Sequence, residues 1–595
     1  TRSIAVTGVQ TCALPIFTYN QQESYTLDHI AFIETGKRKL SYEEYGSLNE
    51  LYKQDFQKFI EYNVTDTDRV ADIDDKMKLI ELVYAMAYDA KINFNDALTS
   101  VLLWDIIVYN YLKNKNIVIP QNKSRGISNE IIPGGHVKEP LIGMHKWVLS
   151  FDLTSLYPHL IMQYNISPEA FVNRFGKDWV EELLNFKTDA KNWKDDNLIQ
   201  AANGARFRKD IVGVFPELMK LQFDKRVEYK NKMMTAKKEY EKHHTPELEK
   251  DIAKYNNFQM AKKIQLNSAY GAMANPWFRY FSEALASAVT LTGQLTIRWI
   301  EKRVNDFLNE ILKTKNIDYV IASDTDSIYI TLESYVKTFG VNTADTLKVV
   351  EFLDKVARLE FEPFMKKCFE ELAEYTNSKN HMKMKREVIA DKAIWRAKKN
   401  YVANVLNSEG IQYEKPQLKI MGMEAVRSST PTICREKIKE TLELILTTNE
   451  HTVINHIALF KNEFKRMPIE DIAFPRGING ISKYSDRDFL YRKGTPIHVK
   501  GAIIYNKLLA DKKLTNKYPI IYDKDKIKFC YLKEPNPAFS SVISISKTLP
   551  SQLGLDKYID YDKQFEKTFL GPIKSILDVI GWNHEKRNTI DNFFE

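Results

Sequence analysis

Two carboxylates lie in the middle of a stretch that otherwise has the pattern of a buried β-strand. The stretch IASDTDSIYI spans residues 321–330 and carries Asp324 and Asp326. Strands are depleted in Asp, and a buried carboxylate without a partner is costly. One interpretation is a surface hairpin in which Asp and Ser only form the turn. The other is a hairpin that holds carboxylates towards a divalent metal, since Mg²⁺ prefers carboxylate oxygens and keeps water and phosphate as further ligands.

A third carboxylate, Asp152, has a comparable position. It lies near the end of the predicted strand HKWVLSFDL, residues 145–153, and the segment TSLYPHLIMQYNISPE follows at once. Functional sites commonly lie where a strand passes into a turn. Asp152, Asp324 and Asp326 are therefore candidates for a two-metal phosphoryl-transfer site.

Two long predicted helices separate these carboxylates in the sequence. The first runs from about Pro216 to His244 and the second from about Leu248 to Gly271, with the breaker HHTPE between them. At about 1.5 Å per residue each helix exceeds about 30 Å, so the pair predicts a protruding helical hairpin. A solvated, coiled-coil-like spur is the alternative for such a charge density.

The hairpin carries basic and amide side chains at helical spacing. Lys263, Asn267 and Tyr270 are spaced i, i+4 and i+7 on the second helix, which places them on one face. Arg226 and Lys230 share a face of the first helix. Guanidinium and ammonium groups complement phosphate oxygens, so the two faces together predict a clamp for a triphosphate.

Length and composition indicate a large soluble protein. The 595 residues predict roughly three to five domains. No run of 18 uncharged apolar residues suggests a membrane span, and we expect a cytoplasmic protein. Four scattered cysteines without C-x-x-C spacing argue against a zinc site and a disulfide framework. A net charge of +8 permits binding to a polyanion without demonstrating it.

The beginning of the chain differs in character from the rest. Residues 1–16 have no initiating Met and no clear signal-peptide order, and they resemble translated read-through of a sequencing adapter. We expect them to be non-native and the chain to lack its true start. From Leu48 to about Asn114 the pattern is mostly helical, and the Pro- and Gly-containing loop that follows predicts a domain boundary.

Four segments in order carry a resemblance to a known family. DLTSLYP (152–158), KIQLNSAYG (263–271) and SDTDS (323–327) resemble motifs A, B and C of family B DNA polymerases, and KKNY (398–401) resembles their primer-contacting K-K-x-Y motif. The similarity continues through NISPE, NPWFRYF, MKREVIA, LKIMGME and TPIHVKGAIIYN. In these segments the sequence particularly resembles the replicative polymerases of T-even-type bacteriophages. The resemblance covers nearly everything from residue 17 onwards.

The resemblance implies roles for individual residues. Asp152 and Asp326 would hold two Mg²⁺ ions, with Mn²⁺ as an alternative, together with the carbonyl of Leu153. Asp324 would tune the metal geometry without necessarily binding metal. The residues that would bind the incoming nucleotide are Ser155, Leu156, Tyr157, Arg226, Lys230, Lys263 and Asn267. Those that would lie at the primer or template are Gly134, Gly135, Glu387, Lys398, Lys399 and Tyr401.

Each assignment has a simpler alternative, and the chain departs from the family pattern in places. Tyr157 could be a core residue and Tyr270 a helix-packing aromatic. His159 stands where the family more often has a small hydroxyl residue. Asn400 replaces the usual Arg of K-K-R-Y, which would weaken the grip on the primer. The helical hairpin is also shorter than in the similar phage proteins.

The implied fold is an α+β, multi-domain right hand. It comprises a remnant of an N-terminal exonuclease domain (17–123), an antiparallel-sheet palm (124–212 and 276–422), helical-hairpin fingers (213–275) and a mostly helical thumb (423–595). The implied reaction is template-directed DNA synthesis by a monomer bound to primer-template DNA and deoxynucleotides. The alternatives are a catalytically impaired DNA-binding fragment and another two-metal enzyme such as a nuclease, although a nuclease has no use for a triphosphate clamp.

Two further segments give expectations about editing and processivity. YNVTD, residues 62–66, resembles the third exonuclease motif, with Asp66 as a metal ligand and Tyr62 orienting water, but the other exonuclease motifs are missing. We expect no proofreading, and a capping or turn role for Asp66 is the alternative. In the tail, Ile590, Phe593 and Phe594 are spaced i, i+3 and i+4, which predicts either a helical plug for a sliding clamp or docking onto the thumb.

Overall fold

The computed structural model describes most of the chain. The described residues are 25–45, 48–121, 131–176, 178–186, 197–486 and 490–585. The predicted read-through at residues 1–16 and the predicted clamp-binding residues Ile590, Phe593 and Phe594 lie outside them.

Helices occur in three consecutive groups. The first group is α1 (Leu27–Thr35), α2 (Leu48–Gln54), α3 (Phe56–Met77), α4 (Leu79–Ala90) and α5 (Ser100–Asn114). The second is α6 (Leu156–Gln163), α7 (Val180–Leu184), α8 (Val214–Tyr240), α9 (Pro246–Met273), α10 (Glu283–Ile311), α11 (Glu333–Thr338), α12 (Thr346–Val356) and α13 (Glu362–Tyr375). The third is α14 (Thr432–Thr447), α15 (Glu450–Phe464), α16 (Ile469–Ile472), α17 (Ile481–Tyr484), α18 (Ile497–Asp511), α19 (Tyr561–Phe565) and α20 (Gly571–Ile580).

The strands fall between and after these helices. They are β1 (Gly143–Leu153), β2 (Phe171–Arg174), β3 (Leu198–Gln200), β4 (Ala205–Arg208), β5 (Val320–Asp324), β6 (Ser327–Thr331), β7 (Met384–Ala397), β8 (Asn400–Ser408), β9 (Ile411–Met421), β10 (Phe474–Gly477), β11 (Ser485–Asp486), β12 (Leu490–Tyr491), β13 (Lys526–Tyr531) and β14 (Val542–Ile545). The mixture of helices and antiparallel sheets confirms the predicted α+β class.

The largest sheet has the order β5-β6-β1-β7-β8-β9, and all its neighbouring strands are antiparallel. Strand β1 is buried on both faces from Trp147 to Phe151, which explains the apolar residues of this part of the strand. Leu149 and Phe151 belong to the core shared with helices α10 and α13. Val148 points to the opposite face, in a second core with Tyr329 and Trp395. The strand that carries Asp152 is therefore held from both sides.

The predicted helical hairpin is confirmed. Helices α8 and α9 pack along each other and are joined at residues 241–245. Thr245 caps α9 by accepting a hydrogen bond from the backbone N–H of Leu248, and Pro246 occupies the first turn, where its missing N–H costs nothing. The base of the hairpin packs against α4, α5 and α6. It is therefore not simply a solvated spur.

The N-terminal helices confirm the helical pattern expected from Leu48 to about Asn114. Asp66 lies in the interior of the 22-residue helix α3, so the capping or turn role considered for it is wrong. The Oδ2 atom of Asp66 forms an ion pair with Lys39 Nζ at 2.7 Å. The same ammonium lies 4.7 Å from the ring centroid of the buried Tyr62.

The C-terminal part contains more sheet than predicted. Helices α14, α15 and α20 share one core with part of the large sheet. A second core is formed by α18 and the antiparallel sheet β10-β13-β14. The segments KIKFCY and VISI are rich in β-branched and aromatic residues, which is the signal that could have indicated these strands. Among the helices of the described residues, none combines the length and apolar character needed to span a membrane.

Candidate active site

Asp324 and Asp326 flank the tight turn of the β5–β6 hairpin. Asp324 opposes Ser327 in the register of the two strands, and Thr325 has a positive φ of 57°. The backbone N–H of Asp326 donates to the carbonyl of Asp324 at 2.6 Å. The sequence SDTDS thus forms a turn, as the simpler interpretation held, and the turn lies at the end of the central sheet beside β1.

Asp152 reaches the same end of the sheet from the neighbouring strand. It opposes Ser327 in the β1–β6 register, and the next residue, Leu153, donates its backbone N–H to the carbonyl of Asp326 at 2.8 Å. The fold therefore brings together two carboxylates that are far apart in the sequence. Asp324 instead pairs with Lys399, whose Nζ lies 3.1 Å from its Oδ1.

The electrostatics of this pair reflect burial and like-charge repulsion. Burial, followed by the charges of Asp326 and Glu387, raises the pKa of Asp152 to about 7. Burial also raises the pKa of Asp326, with Asp324 and Glu387 adding to the effect and a backbone hydrogen bond opposing it. Neighbouring carboxylates disfavour each other's ionised form, and a divalent cation would favour it.

Glu387 joins this group from strand β7. Lys419 Nζ on β9 lies 3.0 Å from each carboxylate oxygen of Glu387, and Ser150 Oγ donates to Oε2 at 3.3 Å. Among the described residues, no three His, Cys, Asp or Glu side chains form a ready-made metal cluster. The half-buried Asp152 and Asp326 nevertheless fit a hard divalent cation that takes part of its coordination from water and substrate phosphates.

The turn after β1 is held in a restricted backbone conformation. Ser155 has φ 49° and ψ 56°, in the left-handed region, and α6 begins at the next residue. His159 contacts the carbonyl of Ser155 through its backbone N–H at 3.2 Å and its Nδ1 at 3.0 Å. The Leu156 side chain is buried in the core. His159, unexpected from the family pattern, thus stabilises this turn.

Two aromatic contacts join α6 to the helical hairpin. The rings of Tyr157 and Tyr270 lie 4.7 Å apart at an angle of 56°, which connects α6 to α9. The ring of His159 meets Phe223 of α8 edge-on at 4.7 Å. Burial raises the pKa of Tyr157 to about 12, so its hydroxyl stays protonated. Tyr270 thus has a packing role, and Tyr157 is half-buried.

The predicted phosphate-binding residues lie on the hairpin. Lys230, Lys263 and Asn267 are exposed on α8 and α9. Arg226 is half-buried, and burial lowers its pKa. Its Nε is buried, and no residue in the described ranges accepts a hydrogen bond from it or pairs with its charge. A half-buried guanidinium without a carboxylate partner is suited to an anionic ligand.

Residues 136–141, which follow the predicted domain boundary, pair with the outer side of the β5–β6 hairpin at the edge of the large sheet. The backbone N–H of Thr325 donates to the carbonyl of His136 at 2.8 Å, and the backbone N–H of Lys138 donates to the carbonyl of Ser323 at 3.1 Å. A Cβ on Gly135 would lie 2.8 Å from Thr325 Cγ2, whereas a Cβ on Gly134 would meet nothing within 4 Å. A Cβ at position 135 would therefore force the Thr325 side chain or the neighbouring backbone to shift.

The two lysines of the KKNY segment form the turn between β7 and β8, and Asn400 and Tyr401 begin β8. Lys398 pairs with Glu139 at 2.8 Å, and Lys399 extends to Asp324 as described above. The side-chain amide of the buried Asn400 donates to the carbonyl of Gly422 at 3.2 Å, so this residue supports the turn. Tyr401 is only 5% exposed, stacks on Trp395 and bonds through its hydroxyl to Tyr329 at 2.9 Å. In this conformation its ring packs in the core.

Two interactions near the site had no clear sequence signal. The Glu387–Lys419 pair joins β7 to β9, and β8 lies between these two strands in the sheet. An ion pair between the buried Lys262 and the partly exposed Asp89 joins α9 to α4. Lys262 is adjacent to Lys263, which is predicted to bind the triphosphate, but nothing in the sequence indicates Asp89 as the partner of Lys262.

This combination of an antiparallel sheet with converging carboxylates and a basic helical hairpin occurs in a chain that belongs to DNA polymerase family B. The family model described as "DNA polymerase family B" matches residues 105–577.

Two phage proteins are similar over nearly the whole chain. The DNA-directed DNA polymerase of Escherichia phage RB69 is 32% identical, over 97% of this chain and 69% of that protein. The DNA-directed DNA polymerase of Enterobacteria phage T4 is 30% identical, over 97% of this chain and 69% of that protein. A DNA polymerase of Pyrococcus glycovorans is 30% identical over 34% of this chain and 22% of that protein.

Proposed function

We propose that the protein extends a DNA primer on a template by two-metal phosphoryl transfer. The observation that carries the proposal is the meeting of Asp152 and Asp326 at one end of the central sheet, where the Leu153 N–H bonds to the Asp326 carbonyl. Membership in DNA polymerase family B supports the reaction class.

We further propose a right-hand arrangement of domains. Residues 17–123 would be part of an N-terminal domain, residues 124–212 and 276–422 the palm, residues 213–275 the fingers and residues 423–595 the thumb. The six-stranded sheet, the α8–α9 hairpin and the two C-terminal cores support this division. Contacts to the phosphates would hold the duplex, and binding should therefore weaken with salt.

The metal-binding residues would be Asp152, Asp326 and the carbonyl of Leu153. Bound divalent ions, expected to be Mg²⁺, would supply charge stabilisation for the primer 3′-oxygen and for the pyrophosphate leaving group. Asp324, whose carboxylate pairs with Lys399, would tune the metal geometry. Glu387 would keep a negative potential at the site from the adjacent strand.

The incoming nucleotide would lie between α6 and the hairpin. Arg226, Lys230, Lys263 and Asn267 would bind its phosphates, and the backbone of Ser155 and Leu156 would line the sugar and phosphate side. The Tyr157 ring, held by Tyr270, would exclude a 2′-hydroxyl. Gly134, Gly135, Lys398 and Lys399 would approach template and primer, with Tyr401 supporting them from the core.

The remaining partners rest on the similarity to the two phage proteins. We propose that the protein acts as a monomer in viral DNA replication, in the cytoplasm of a bacterial host. The tail with Ile590, Phe593 and Phe594 would bind a sliding clamp. Deleting residues 588–595 should shorten products only when the cognate clamp is present, whereas equal shortening without clamp would favour docking of the tail on the thumb.

A primer-extension assay tests the proposal against its alternatives. With a labelled primer-template, one deoxynucleotide and Mg²⁺, the protein should add one residue to the primer. Binding without extension would indicate a catalytically impaired DNA-binding protein. Shortened primer without extension would indicate a nuclease.

A further inference from the structure

The side chain of Lys262 joins three helices at the base of the hairpin. Lys262 is 2% exposed, and its Nζ donates to Asp89 Oδ2 on α4 at 2.5 Å and to Gln222 Oε1 on α8 at 2.6 Å. Gln265 of α9 donates to the same Asp89 oxygen at 3.1 Å. A buried ammonium is costly unless it is paired and hydrogen-bonded, and here every named contact is with a neighbouring helix.

This network lies on the side of α9 that faces the N-terminal helices. The indole N–H of Trp104 on α5 donates to the carbonyl of Gln265 at 3.1 Å, and Gln265 is fully buried. Successive residues in an α-helix are about 100° apart, so Lys263 points away from this side and is exposed. Asn267, four residues later, shares the exposed face with Lys263.

We propose that Lys262 is a positioning residue for the incoming nucleotide: its ion pair with Asp89 fixes the rotation of α9 about its axis and thereby directs Lys263 and Asn267 into the cleft. The inference rests on the proposed function of the hairpin as a nucleotide clamp. It adds a residue about 100° around the helix from Lys263, which need not touch the nucleotide.

The geometry indicates why a small rotation matters. A side-chain end about 6 Å from the helix axis moves by about 2 Å when the helix rotates by about 20°. The hydrogen bonds from Lys263 and Asn267 to the nucleotide phosphates would then be longer and poorly aligned, and hydrogen bonds weaken steeply with distance and angle. Loss of the ion pair should therefore raise KM for the deoxynucleotide even though the side chains in the cleft are unchanged.

The first test is steady-state primer extension by Lys262→Met and Asp89→Asn. Each should raise KM for the deoxynucleotide about tenfold while kcat, corrected for the active fraction, changes less than about threefold. Lys262→Arg, which keeps the charge and the donors, should restore KM to within about threefold of the parent. Parental extension in the same assay tests the proposed function separately.

A matched control uses another ion pair between the N-terminal helices and the region next to the hairpin. Arg279 forms a two-point contact with Asp105 of α5, at 2.8 and 3.0 Å, but lies beyond the end of α9. Asp105→Asn should lower the melting temperature as Asp89→Asn does and leave KM for the deoxynucleotide unchanged. An equal rise of KM in both variants would show a general structural effect and overturn the proposal.

A double-mutant cycle identifies the route of the effect. If Lys262 acts through Lys263, then Lys262→Met should add less than about twofold to the KM of Lys263→Ala. Independent effects that multiply would overturn the proposal. Should Lys262→Met fail to fold, Lys262→Gln, which keeps a hydrogen-bond donor without the charge, enters the same cycle with the same deciding outcome.

Discussion

Replacing Asp152 by Asn should abolish catalysis and at the same time stabilise the metal-free protein. The amide preserves the size of the side chain but removes a charge that lies close to Asp326 and Glu387. Primer extension should fall below about one-hundredth of the parental rate because a metal ligand is lost. Primer-template binding should be retained because no phosphate contact is removed.

The expected gain in stability follows from the raised pKa of Asp152. Its value of about 7 lies roughly three units above the ordinary value for Asp, and each unit corresponds to about 1.4 kcal/mol. The upper bound is therefore about 4 kcal/mol. Because the carboxylate is partly exposed and screened by solvent, we expect about 1–2 kcal/mol for the free energy of unfolding.

The pH dependence has a defined sign. The folded-state pKa lies above the unfolded-state pKa, so the folded state of the parent is favoured when Asp152 is protonated. That contribution is fully present below about pH 4 and is lost as the pH rises to about 7. The advantage of Asp152→Asn should therefore be small at pH 4 and reach its full size at pH 8.

Thermal unfolding in EDTA is the assay. At pH 8 the variant should melt about 2–8 °C higher than the parent, on the scale of about 2–4 °C per kcal/mol for a domain of 150–250 residues. Asp210→Asn is the control, because its exposed carboxylate is paired with Arg208 and its pKa is lowered by that contact. No rise for Asp152→Asn at pH 8, or extension above one-hundredth of the parental rate, would refute the reasoning.

Three further predictions concern single side chains. Tyr157→Ala should incorporate ribonucleotides at least tenfold more readily relative to deoxynucleotides, because the ring that would exclude a 2′-hydroxyl is gone; unchanged discrimination would assign the sugar gate to another residue. Gly135→Ala should lower the free energy of unfolding by about 1–2 kcal/mol through its contact with Thr325, and Gly134→Ala, where a Cβ is accommodated, should not. A polypeptide of this sequence should not trim a mismatched primer, and Asp66→Ala should leave that result unchanged; metal-dependent trimming that disappears in the variant would contradict the prediction.

Local patterns in the sequence identified most of the elements that carry the site. Helical spacing and the breaker HHTPE indicated the α8–α9 hairpin, and the structure places its ends within a few residues of the prediction. Strand pattern followed by Asp located β1 and the β5–β6 hairpin. These features depend on residues close together in the chain, because the period of 3.6 or 2 is set by local backbone geometry.

The family resemblance predicts a mostly helical C-terminal region, whereas KIKFCY and VISI form the short strands β13 and β14, whose local signal is weak. The alternative of a capping or turn role for Asp66 rested on NVTDTD, whose polar residues are typical of helix ends. The surrounding sequence continues the helix instead, and Lys39 pairs with Asp66 from outside it.

By itself, the sequence determined which residue types can do the chemistry and on which elements they lie. Only the tertiary structure decided which of them meet. Asp152 reaches Asp326 because β1 pairs with β6 in one register, and a slip of one residue would turn the Asp152 side chain to the other face of the sheet. The Lys262–Asp89 pair depends in the same way on the packing of α9 against α4. Such contacts join segments far apart in the chain, and their geometry is set by packing and register, which no local pattern records.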